Sequence, residues 1–285
     1  MKRSIDQIIP AIETSDGAGV RILRSVGQRQ GLRVDPFLML DFFSSSNPDD
    51  YVAGFPAHPH RGFETVTYML NGTLQHRDHM GNEGTLSSGG VQWMTAGRGV
   101  IHEEMPKQQD GLMRGFQLWV NLPAAHKMRP AAYQNIAPHQ LPLITLPGDS
   151  GEMKLIAGEL TLAAEHYQGP VAGVTVDPLL LDLHLQQGAS VQLPLESGHN
   201  AFIYLYEGEA EIGDRVLATD QAATLTQGSS VEIKALKGAR LLLAAGRPIR
   251  EPVVQYGPFV MNSTEEIDQA LRDYREGVLT EGRGY

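Results

Sequence analysis

The 285-residue chain contains no cysteine. That absence excludes disulfides, thiol nucleophiles and thiolate metal ligands together, so any metal site must use nitrogen and oxygen donors. Positive charge is also scarce: 23 Lys and Arg stand against 33 Asp and Glu, a formal net charge of −10. Phosphate backbones are bound through clustered Lys and Arg, so this balance argues against direct contact with nucleic acid. No apolar run approaches the roughly 20 residues that span a bilayer. The opening stretch MKRSIDQIIPAIETSDG is broken by Asp6, Pro10 and Glu13 and lacks the continuous apolar core of a secretion signal. The expectation is a cytoplasmic protein with no membrane partner.

What is present is an ordinary globular composition, 41% hydrophobic and 20% charged, long enough for one large or two ordinary domains. Most of the chain reads as short strands cut by Gly, Pro and Asn. Thr65 to Leu70 (TVTYML) is β-branched and aromatic and runs into the turn signal Asn71-Gly72. Further apolar runs span Leu112 to Leu122, Leu179 to Leu185, Ala201 to Tyr206 and Arg240 to Ala245, a spacing that suits an all-β sandwich or barrel. The one long helical pattern is NSTEEIDQALRDYREG. There Ser263 and Glu266 form a capping box, Ile267, Ala270, Leu271 and Tyr274 make an apolar stripe, and Gly277 ends it. A loose repeat relates GTLQHRDHMGNEGTLSSGGVQWMTAG to GEAEIGDRVLATDQAATLTQGSSVEI and predicts two related β-barrels joined near Pro138 to Gly151.

Within GFPAHPHRGFETVTYMLNG, His58 and His60 are separated only by Pro59, and GRGVIHEEMP places His102 and Glu104 at the same spacing. Residues i and i+2 of a strand project from one face, so each pair shares a side. Spacing alone leaves two readings, a surface pair near a turn or a metal site. Gly54, Gly62, Gly97 and Gly99 flank both pairs and suit close backbone approach at barrel corners, which favours the metal. Glu103 faces away by strand parity. His76 and His79 lie beside Asp78, Gly81 and Asn82 and read as a solvated loop. His199 has no following HxE, so the second barrel reads as metal-free. Nothing in the spacing of His126 implies ligation, and Trp93, Met94 and Trp119 read as core, with Trp93 and Met94 leading towards His102.

The stretches FLMLDFF, HPHRGFETVTYMLNG, GGVQWMTAGRGVIHEEMP, RGFQLWVNLPAAHKM and EPVVQYGPFVMN resemble the pirin family of bicupins, in order and over most of the chain. The resemblance implies two cupin barrels of jelly-roll type in tandem with a short C-terminal helix. Residues 1–140 would form the N-terminal, metal-bearing barrel, and 141–285 a metal-free barrel whose C-terminal helix packs back. It implies one divalent metal ion, usually iron as Fe(II), with Cu, Mn, Ni, Co and Zn as alternatives, bound by His58, His60, His102 and Glu104. A general cupin would instead ligate through the position of Glu64, which otherwise reads as a group orienting an imidazole. The implied activity is a quercetin 2,3-dioxygenase. Dioxygen opens the central ring of a flavonol or similar phenolic substrate with release of carbon monoxide, and Glu104 is the candidate general base. The alternative from the same resemblance is a metal- and redox-dependent regulatory protein that binds a protein partner.

Overall fold

The computed structural model describes residues 1–281. The chain divides into two compact units built almost entirely of strands, and the units exchange chain ends. One unit gathers Glu13–Arg24, Phe37–Pro138 and the chain from Ile249 onward; the other gathers Met1–Ile12, Ser25–Pro36 and His139–Pro248. A single cut near residue 140 therefore misplaces both termini. The reason is long-range pairing. Ile5–Pro10 pairs antiparallel with Gln221–Leu225, and Lys2–Arg3 pairs with Ser230 and Val231. The last residues of the sequence-based second domain, 282–285, lie outside the described residues.

In the first unit the strands are β1 (Ile12–Asp16), β2 (Val20–Arg24), β3 (Phe37–Ser45), β4 (Phe55–His60), β5 (Phe63–Asn71), β6 (Thr73–Asp78), β7 (Glu83–Ser87), β8 (Val91–Thr95), β9 (Val100–Pro106), β10 (Met113–Asn121) and β11 (Ala132–Ile136). They form a seven-stranded sheet in the order β11-β8-β5-β10-β3-β2-β1 and a four-stranded sheet in the order β4-β9-β6-β7. The β-branched and aromatic run in β5 lies in the interior of the large sheet, between β8 and β10, and is buried on both faces from Phe63 to Met69. Between the sheets Ile22, Phe43, Met69 and Met113 meet Leu74, Leu86 and Phe55. After a short helix, α1 (Ala124–Lys127), the unit is completed by the hairpin β12 (Val254–Tyr256) and β13 (Phe259–Met261) and by α2 (Thr264–Arg275). The capping box is present: Ser263 Oγ accepts from the Glu266 N–H, and Glu266 Oε2 accepts from the Ser263 N–H. Ile267 and Ala270 of α2 pack on Phe259 and Met261.

The second unit repeats the plan with a seven-stranded and a five-stranded sheet. The predicted repeat is visible as Glu209–Ile212, Arg215–Ala218 and Gln221–Leu225 against β6, β7 and β8. Its interior is one continuous apolar cluster that includes Leu181, Leu183, Leu193, Ile203, Leu205, Ile233, Leu241 and Leu243. No helix among the described residues is long and apolar enough to cross a membrane.

Candidate metal centre

β4 carries Pro56 and Pro59, residues that cannot donate to a neighbouring strand, and it accordingly lies at the edge of the small sheet with β9 as its one partner there. The register of that pair builds the site. His58 stands directly opposite His102, and directly opposed residues bring their Cβ atoms within about 4.5–5.5 Å. The pairing then slips between His102 and Glu104, because Glu104 faces Phe55; the extra β4 residue is a bulge. His60, two residues from His58, projects from the same side.

The result is a close group of three imidazoles, His58, His60 and His102, whose donor atoms lie within 4.8 Å of one another. Ring centroids are 4.6 Å apart for His58–His60, 4.4 Å for His58–His102 and 4.9 Å for His60–His102. His58 Nδ1 lies 2.8 Å from the Pro56 carbonyl, which only accepts, so Nδ1 carries a proton and Nε2 is the nitrogen turned to the other rings. His58 Nε2 faces His60 Nε2 at 3.0 Å. His102 turns Nδ1 towards His76, and its Nε2 is buried with no hydrogen-bond partner in the protein. Burial first, then neighbouring imidazoles, hold His60 and His102 well below the ordinary histidine range, so both are neutral at physiological pH. Three rings converging on one point, two of them held neutral and each of those two with a buried nitrogen that has no partner, are the kind of donor set that suits a divalent cation.

Glu104 is not part of that three-donor group. It is buried on the inner face of β9, where Oε1 accepts from Thr67 Oγ1 at 2.9 Å and Oε2 from Gln117 Nε2 at 2.8 Å. Glu64 is further from the role expected of it: it holds no imidazole, and its oxygens accept from Trp93 Nε1 and Thr95 Oγ1. Its burial raises the carboxyl against these hydrogen bonds. Glu103 faces outward as parity predicts, 3.9 Å from Arg77. His199 stands apart in the second unit, 3.6 Å from Asp177.

His76 requires a correction. It is no solvated loop residue: it lies on β6, buried, directly across from Glu104, with Nδ1 3.4 Å from His102 Nδ1. The alternation of buried Leu74 and His76 with the more open Gln75 and Arg77 is a strand signal, masked by the turn-forming Asp78 to Asn82 that follows. His79, nearer that turn, is exposed as the loop reading expects, and its Nδ1 accepts from the Ile101 N–H of β9 at 3.3 Å.

His58 and His60 open onto a cavity of about 560 Å³, within the range of small-molecule sites. Its apolar walls are Met39, Phe55 and Trp119. The tryptophan against the site is thus Trp119, 5.4 Å from His60 by centroids, whereas Trp93 lies in the core against Glu64. Gln117 also lines the cavity and links two neighbours: it accepts from Trp119 Nε1 at 3.3 Å and donates to Glu104. Arg24 at the rim is held by both Asp41 oxygens at 2.7 Å and by Asp16 at 3.0 Å. Met39 and Gln117 lie in the stretches FLMLDFF and RGFQLWVNLPAAHKM, but nothing in their spacing marks them or Arg24 as site residues; each reaches the cavity through strand pairing distant in sequence.

The residues after His60 fasten the ligand strand. Arg61 is buried and donates to the Arg98 and Leu279 carbonyls and to Asp273 Oδ2 on α2. Gly62 has φ +90°, and a Cβ there would stand 1.9 Å from the Val260 carbonyl, so only glycine fits. Lys127 Nζ, also buried, donates to the carbonyls of Gly62 and Val260 and to Asn121 Oδ1 at 2.7–3.0 Å. Neighbouring His126 is exposed.

Comparison with known proteins agrees with this architecture. The Pirin family matches residues 19–120, and the Pirin C-terminal cupin domain matches residues 180–280. The chain is 52% identical over 268 residues to "Putative quercetin 2,3-dioxygenase PA3240" of Pseudomonas aeruginosa, covering 93% of this chain and 94% of that protein. It is 40% identical to human Pirin over 92% of this chain and 89% of that one. A crystal structure of quercetin 2,3-dioxygenase from Acinetobacter baumannii superposes with a TM-score of 0.90 at 33% identity, covering 98% of this chain and 99% of that one. The chain therefore belongs to the pirin family, with two cupin barrels in tandem.

Proposed function

We propose that the protein is a metal-dependent dioxygenase that opens the central ring of a flavonol, with the ion held by His58, His60 and His102 and with Glu104 as the associated carboxylate. The observation that carries this reading is the placement of two of the three clustered imidazoles, His58 and His60, on the wall of a cavity large enough for an aromatic substrate. The relatives named above for quercetin dioxygenation support the same substrate class. A divalent ion bound there, for which we favour Fe(II), supplies a positive charge that acidifies a phenolic or enolic hydroxyl.

The chain's own groups account for the remaining tasks. Trp119, Phe55 and Met39 present apolar surface to a planar ring system and exclude water from it. Glu104, whose two oxygens act only as acceptors in this structure, takes the proton released by the substrate hydroxyl. Gln117 lines the cavity and touches Glu104, so it aligns the carboxylate with the bound ring.

The test is direct. Protein purified without chelator is assayed for metal, loaded with Fe(II), mixed with quercetin without oxygen and then exposed to it. The expected result is spectral change on binding, followed by flavonol loss and stoichiometric carbon monoxide. Flavonol that survives many hours with fully loaded protein overturns the reading.

A further inference from the structure

A metal-bound imidazole is held in place by whatever accepts the N–H of its other nitrogen, commonly a carboxylate or a backbone carbonyl. For His102 the carboxylates nearby are already engaged. Both Glu104 oxygens accept from Thr67 and Gln117, both Glu64 oxygens from Trp93 and Thr95, and Asp78 accepts from Asn82 and the Met80 N–H. The group that meets His102 Nδ1 is another imidazole, His76, at 3.4 Å between the two Nδ1 atoms. Two facing nitrogens of this kind hold one proton between them.

We propose that His76 is the positioning residue of the metal centre. Its Nδ1 lone pair accepts the Nδ1 proton of His102, which fixes the tautomer and ring angle that present His102 Nε2 to the ion. The inference rests on the metal-centre reading above and goes beyond it, because nothing in the chemistry of ligation alone calls for a fourth histidine.

Three observations carry it. His76 is buried at 4% exposure, where an apolar residue would pack without cost, and its own Nε2 has no partner in the protein. An unpartnered buried nitrogen is unfavourable, so the side chain is held there by what its other nitrogen does. The ring is gripped on its far side by Tyr133, with centroids 4.7 Å apart. Its position is also set by register: β6 places Asp78 opposite His102 and His76 opposite Glu104, so His76 reaches His102 along the diagonal. A neutral acceptor draws less charge through the imidazole than a carboxylate does. His102 is then a weaker donor than a histidine backed by Asp or Glu.

The test compares wild type with His76→Leu, which removes the acceptor, and His76→Asn, whose amide oxygen falls near the position of Nδ1. Co(II) is the probe, its affinity measured by chelator competition and its geometry by the visible ligand-field spectrum. His76→Leu is expected to bind Co(II) about 10–100-fold more weakly with an altered spectrum, while the thermal midpoint of the metal-free protein stays level or rises. His76→Asn is expected to recover most of the affinity and the wild-type spectrum. Should a variant misfold, nitrogen-15 spectra of the Zn(II)-loaded wild type decide the matter by tautomer: His102 protonated at Nδ1 and His76 at Nε2. Wild-type affinity and spectrum in His76→Leu, no recovery in His76→Asn, or the reverse tautomers overturn the role of His76 while the metal centre stands. A wild-type protein that binds neither Co(II) nor Fe(II) removes the metal centre, and this proposal with it.

Discussion

His60 and His102 are neutral because they are buried among other imidazoles, and that has a consequence for the metal-free protein. Both take up a proton less readily folded than unfolded. As pH falls below about 6.5, the unfolded chain binds protons that the folded chain refuses, so stability is lost towards acid, down to the depressed folded values. The urea midpoint of chelator-treated protein should hold level from pH 8 to about 7 and fall from there to pH 5, and a flat profile throughout would contradict the neutral, buried assignment. Glu104 and Glu64 separate in the same spirit. Glu104→Gln is expected to keep one metal per chain while kcat drops about 100- to 10,000-fold, the usual range for loss of a general base. Glu64→Gln, remote from the imidazoles, should leave metal content unchanged and kcat within a few-fold. Elemental analysis and steady-state kinetics on the pair decide which carboxylate serves the site.

The ligand strand β4 is an edge element made of prolines and histidines, and its hold on the barrel depends on groups beyond its own hydrogen bonds. Lys127 is the clearest of these. Lys127→Met leaves three buried acceptors, the Gly62 and Val260 carbonyls and Asn121 Oδ1, without their donor, at about 1–3 kcal/mol each. Chemical denaturation should therefore show a large loss of stability, with metal affinity reduced because Gly62 sits two residues from His60. At this scale the sequence was informative wherever the contact is local. Strand parity pairs His58 with His60 and His102 with Glu104, and Ser263 with Glu266 marks the start of α2. It was uninformative where a side chain acts across strands. Arg61, Lys127 and Gln117 lie in stretches that resemble the family, but nothing in their spacing points to a role, and their partners lie up to 218 residues away. His76 was misread because the turn beyond it outweighed a strand only six residues long.

Across the whole chain, the exchange of ends decides what can be cut away. Removing residues 1–11 takes Ile5 and Ile9 out of the second unit, each buried to 5% exposure or less. It also strips Arg3, which donates to the Gly228 and Glu196 carbonyls. Two buried isoleucines at about 1.5–3 kcal/mol each, and a midpoint shift of about 2–4 °C per kcal/mol, give a drop of roughly 6 °C or more. Calorimetry of the truncated protein checks this, and the metal content should not change. A Leu243→Ala substitution in the apolar interior of the second unit should likewise cost about 2–5 kcal/mol and leave one metal per chain.

The same exchange bears on how the protein is made. The hairpin β12–β13 and helix α2, which complete the first unit, are translated more than a hundred residues after β11, once all of the other unit has been synthesised. The opening dozen residues emerge first and must wait for the strands they join. Growing chains of this design cannot finish one unit before starting the next, so the usual order of folding during synthesis, front half first, does not apply. A chain ending near residue 140 should carry its histidines in an incomplete barrel, exposed to protease, because it lacks the hairpin and the helix that complete the unit.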